Sequence, residues 1–203
     1  MVAERNVTLS LSKGMKQTEI GLIPEDWKLV DLSELSSKIA SGKSNTLNND
    51  NGIYPIYGST GIIGKKKYFD YEGAKITVAR VGANAGYISI IDGKYCISDN
   101  TLFVQSNDKV IINFLYKYLQ SINLNKYVFG SGQPLITGTI LKNLQIPLPP
   151  LPEQQAIAEA LSDAEAWIES LEQLIAKKRL IKQGAMQELL TPKTDWEVKK
   201  LGE

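Results

Sequence analysis

The sequence predicts an α+β fold, a globular domain built on a twisted β-sheet and followed by one long C-terminal α-helix. Three observations carry this. Residues 51–104 alternate β-rich apolar runs with glycine turns. Four prolines then crowd into IPLPPLP at 146–152. Beyond them, residues 153–190 contain no proline and keep an apolar stripe at helical spacing.

Taken in order, NGIYPIYGSTGIIG at 51–64 mixes apolar residues with turn formers, and Gly58, Gly61 and Gly64 permit tight geometry. KKKYF at 65–69 sets three lysines beside two aromatics. AKITVARVGANAGYISII reads as two strands joined by a hairpin turn, with Asn84 between Gly82 and Gly86. YCISDNTLFV is a further strand, and NFLYKYLQSI at 113–122 a short helix. GSGQPLITGTILKNL at 130–144 is a glycine-rich approach to the prolines.

Pro147, Pro149, Pro150 and Pro152 lack an N–H and have a fixed φ, so residues 147–152 form a semi-rigid hinge after a domain spanning 1–146. Pro152 suits the first helical position, and Glu153 suits the positive end of the helix dipole. Within 153–190, Ile157, Leu161, Ala164, Ile168, Leu171 and Ile175 step alternately by four and three, the seam of a coiled coil. Further on the seam meets Lys178 and Lys182, and the apolar stripe moves to Leu174, Ile181, Ala185 and Leu189, a local stutter. Acidic residues (Glu159, Asp163, Glu165, Glu169, Glu172) precede the basic cluster at 177–179. Antiparallel pairing of two such helices sets opposite charges face to face. The helix is about 57 Å long at about 1.5 Å per residue.

Composition narrows the chemistry. The chain has one cysteine and no histidine, which excludes a disulfide framework, a cysteine-rich zinc site and a histidine base. Cys96 lies in a strand-like run and reads as a small buried hydrophobe. SKIASGKS at 37–44 has Ser37 where a phosphate-binding loop needs glycine. Neither a membrane span nor an export signal is evident, so a cytoplasmic protein without catalytic machinery is expected. The net charge of +1 hides an asymmetry. Residues 35–150 hold 12 Lys/Arg against 6 Asp/Glu, whereas residues 151–203 hold 7 against 10. The globular part is basic and the rest acidic.

DWKLVDLSE at 26–34 recurs as DWEVKKLGE at 195–203, each copy introduced by a proline, Pro24 or Pro192. Residues 191–203 therefore read as the start of a second repeat unit. GLIPEDWKLVDLSEL, the glycine-bearing middle, IPLPPLPEQQAIAEALS and the helix ending in MQELL together resemble the specificity subunit of type I restriction–modification enzymes. Such subunits usually carry two target-recognition domains, each followed by a helix, so this chain resembles a half-subunit.

The resemblance implies sequence-specific binding of double-stranded DNA. It also implies methylation and restriction subunits as partners, on which S-adenosylmethionine, ATP and Mg are expected, with no cofactor in this chain. A half-subunit is expected to homodimerise through Ile157, Leu161, Ile168, Leu171 and Ile175 and to read an interrupted palindrome. Lys65, Lys66 and Lys67, with Lys43, Ser59 and Thr60 behind them, are candidate DNA-binding residues, and lysines on glycine loops can grip phosphates. Arg80, Asn84 and Gln133 have the donors and acceptors that base edges require. The alternative is a non-catalytic dimerising scaffold that binds another protein or polyanion.

Overall fold

The computed structural model describes residues 14–43, 51–130 and 134–191. The class is α+β, and the chain divides into two units, residues 1–158 and 159–203. The first half contains β1 (Met15–Thr18), β2 (Gly21–Pro24), β3 (Lys28–Asp31), β4 (Ser36–Ser41), β5 (Tyr54–Gly58), β6 (Gly61–Lys66), β7 (Tyr71–Glu72) and β8 (Lys75–Ala79). There follow β9 (Ile88–Ile91), β10 (Lys94–Ile97), β11 (Thr101–Ser106), α1 (Ile112–Ser121), α2 (Gly138–Lys142), β12 (Gln145–Leu148) and α3 (Leu151–Leu190).

The central sheet has the order β4-β11-β8-β9 and is antiparallel throughout. A second sheet, β6-β5-β10-β7, contains one parallel pair, β5 with β10. Alternation along β11 explains how the layers join. Leu102 and Val104 enter the larger core with Ile76 and Val78 of β8 and with Phe114, Leu115 and Leu119 of α1. Phe103, pointing the other way, packs with Tyr95, Ile97 and Ile91 in a smaller core that Tyr57 and Tyr71 complete. Every residue of β8 is buried, as a strand covered on both faces requires.

Three expectations need correction. YCISDNTLFV is two strands, β10 and β11, because Ser98–Asn100 makes a turn whose Thr101 N–H donates to the Ser98 carbonyl at 3.1 Å. Residues 147–152 are not a free-standing hinge. Pro147 lies in β12, paired with Leu29 in a two-stranded ribbon, where an edge position tolerates its missing donor. The helix then starts at Leu151 rather than 153, which moves Pro152 inside its first turn and makes it about 60 Å long.

The hairpin expected around GANAG is present, with β8 and β9 paired and a turn at 83–86. Glycine is required at position 86. Its φ is +87°, and a Cβ there would come within 2.6 Å of Asn125 Oδ1.

Candidate nucleic-acid interface

The β10–β11 turn draws several of the expected residues to one place. Lys43 donates its backbone N–H to the Ile97 carbonyl at 2.9 Å and forms a bridge with Ser98. Ser59 Oγ donates to the Asn100 carbonyl at 2.7 Å. The Arg80 N–H donates to that same carbonyl at 2.9 Å, and its guanidinium reaches the Asp99 carbonyl at 3.4 Å. Arg80 is thus half-buried and braced against the turn. Asp99 and Asn100 belong to no binding motif in the sequence, although a Ser-Asp-Asn cluster inside an apolar run is a turn signal.

Thr60 and Asn84 stand exposed on the β5–β6 and β8–β9 turns. Gln133 lies outside the described residues. Its neighbour Pro134 accepts a hydrogen bond from the Gly82 N–H at 2.9 Å, and Leu135 bridges to Val81.

The lysine triplet is divided by strand alternation. Lys65 and Lys67 are exposed, whereas Lys66 is only 6% exposed. Its ammonium lies 3.7 Å from Asp70 Oδ2, so its charge faces a largely buried carboxylate rather than solvent, contrary to a phosphate-gripping role. Asp70 also takes the exposed Lys43 ammonium at 2.8 Å. Burial works to raise the Asp70 carboxyl, but the hydrogen bonds from Lys43 and Cys96 and the charges of Lys43 and Lys66 outweigh it and hold it below its ordinary value. The hydrogen bond to Asp70, and then its charge, raise the Lys43 ammonium. Cys96 is buried, and its thiol is pushed up chiefly by that burial. Both effects disfavour the exposed thiolate that a nucleophile requires.

The helix start is held by a buried amide and a partly buried carboxylate. Gln154 is 1% exposed, and its hydrogen bonds go to main chain. Its Oε1 accepts from the Ile111 N–H at 2.8 Å, and its Nε2 donates to the carbonyls of Pro149 at 2.9 Å and Lys109 at 3.3 Å. Glu153 accepts the Trp27 indole N–H at 3.1 Å. The Asp-Trp element of the first repeat copy therefore meets the Pro-Glu-Gln segment directly. The second copy, at 195–203, lies outside the described residues.

Among the residues expected to pair helices, Ile157 packs partly buried against the larger core of its own domain, next to the buried Ala158. Leu161, Ile168, Leu171 and Ile175 are 45–59% exposed, and Trp167 is 75% exposed. No group of acidic or cysteine side chains suited to a metal occurs among the described residues. No described helix is long and apolar enough to cross a membrane.

Comparison with known proteins matches this architecture. The chain is 29% identical over 212 residues to the specificity subunit of the type I restriction enzyme MjaVIII of Methanocaldococcus jannaschii, covering 89% of this chain and 49% of that protein. The type I restriction–modification S subunit of M. genitalium superposes with a TM-score of 0.62 at 22% identity, covering 89% of this chain and 47% of that one. A chain from a structural study of complex assembly and conformational transition in the type I system gives a TM-score of 0.68 at 22% identity, with 83% and 45% covered. The chain spans about half the length of the curated relatives it matches. Residues 24–178 match the model of the type I restriction modification DNA specificity domain, and the chain belongs to that family.

Proposed function

We propose that this chain reads DNA as one half of a specificity subunit, and that two copies pair through α3 to present two recognition domains to an interrupted palindrome. The observation that supports this most is the helix itself. From Leu161 onward its apolar stripe is exposed, including Trp167, Leu171 and Ile175. A single helix with such a stripe gains stability by covering it with another. The acidic-then-basic order of its charges favours an antiparallel partner, and an identical helix related by a two-fold axis supplies one.

Recognition, not catalysis, is the role of this chain. Methylation subunits bring S-adenosylmethionine to the site it selects, and restriction subunits bring ATP and Mg, all within the cytoplasm. Lys65, Lys67 and the Asp70-braced Lys43 supply cations for phosphates.

Sedimentation of the purified chain at tens of micromolar tests the pairing, with a dimer expected. Methylome sequencing of a strain that carries it tests the reading, with a methylated motif of two like half-sites expected. A monomer refutes the pairing, and unlike half-sites refute the palindrome.

A further inference from the structure

Between the 58–61 turn and the 84–87 turn lies an open cleft of about 460 Å³, with β8 and β9 at its base. None of its lining residues is charged. Phosphate affinity comes chiefly from lysine and arginine, which this lining lacks, whereas exposed amides and hydroxyls have the paired donors and acceptors that base edges present. The lysines lie outside this cleft, and Arg80 is braced against the Asp99 carbonyl.

The polar groups of the lining divide into two sets. Ser59 is engaged with the Asn100 carbonyl at 2.7 Å, and the Thr77 and Ser89 hydroxyls bond each other at 2.7 Å. Those groups build the cleft. Thr60, Asn84 and Tyr87 are exposed, Tyr87 to 64%, and their side chains make no hydrogen bond among the described residues. Asn84 is held at its place because its own carbonyl accepts the Tyr87 N–H at 2.8 Å, and the adjoining Gly86 tolerates no side chain.

We infer that this uncharged cleft is the base-reading surface. Asn84 specifies an A·T pair through paired bonds to adenine N6 and N7. Tyr87 and Thr60 read neighbouring base edges, and the lysines serve only phosphates. The inference rests on the DNA-reading role proposed above, and it adds Tyr87, which nothing in the sequence pattern distinguishes.

The test uses the full chain, in wild-type form and as Asn84→Ala and Tyr87→Phe. Each is passed through rounds of selection on a duplex library with a randomised central segment, and then titrated on selected and scrambled duplexes. Both changes lie on exposed side chains with no hydrogen bond among the described residues, so an unchanged melting temperature is the folding control. For Asn84→Ala we expect the preference at one A·T position to fall roughly 5- to 150-fold while the other positions persist. Affinity for scrambled duplex should change less than about twofold. Tyr87→Phe should weaken a different position. If the wild type selects a motif and both variants return it undiminished, the cleft is not the reader, although the chain still is. If the wild type selects nothing, the DNA-reading role falls, and this inference falls with it.

Discussion

The first two turns of α3 and the turns that follow use one amphipathic pattern to opposite effect. In the first, Gln154 and Ala158 are 1% and 3% exposed and Ile157 packs on the domain core. In the second, Leu161, Ile168, Leu171 and Ile175 remain about half exposed. Apolar spacing alone does not distinguish the two stretches. The polar residue does. A glutamine whose amide is met by main chain commits its turn to one surface, whereas the stripe beyond it, flanked by charges, is left uncovered in the single chain.

The comparison breaks most visibly at Gln154. Replacing it with alanine leaves the part-buried Ile111 N–H without its acceptor and removes two further bonds, one of them buried, at a cost of about 3 kcal/mol in urea unfolding. A loss under about 1 kcal/mol would show that water replaces the side chain.

Asp70→Asn comes next. It removes the carboxylate beside the nearly buried Lys66 and is expected to cost about 3 kcal/mol. The folded Asp70 carboxyl lies below its ordinary value of 3.8. Its contribution is therefore complete above that value and is lost as pH falls through the lower folded value. Wild-type stability should decline below about pH 4 through this group, and the Asp70→Asn variant should lack that component. Parallel acid-unfolding curves would rule it out.

Leu161→Glu with Leu171→Glu sharpens the other side of the comparison. Both positions are exposed in the single chain, so domain unfolding should shift by no more than about 0.5 kcal/mol. Sedimentation should nevertheless change from dimer to monomer. A large stability loss without self-association in the wild type would mean that the stripe folds onto its own domain.

The smallest effect concerns the exposed lysines. Lys65→Ala with Lys67→Ala should weaken binding to all duplexes alike and flatten the salt slope by up to about two units, at roughly 0.9 per contact. Lys66→Ala should act on stability, and an effect on salt slope alone would place its ammonium on DNA.

Where punctuation and period are enough, the fold is readable from the chain. Gly82 and Gly86 mark the β8–β9 hairpin because a turn there demands them, and the helix shows itself through its stripe. The fusion of β10 and β11 into one expected strand arises because Ser-Asp-Asn occupies only three residues between runs of buried apolar side chains. Lys66 looks like its neighbours because its burial depends on Asp70, whose position is set by the packing of the second sheet. Gln154 is visible only as part of a helix start. Its partners, the main chain at 109, 111 and 149, are brought to it by the fold.

The attachment of Gln154 has a consequence for exchange between proteins. Its contacts are the N–H of Ile111 and the carbonyls of Lys109 and Pro149, groups that any non-proline residue at 111, and any residue at 109 or 149, would supply. The fastening does not depend on what the recognition loops contain. A domain with the same backbone path but foreign loops can be grafted in front of this helix and be gripped in the same way. The loops ahead of the helix would then change while these three main-chain bonds stayed the same.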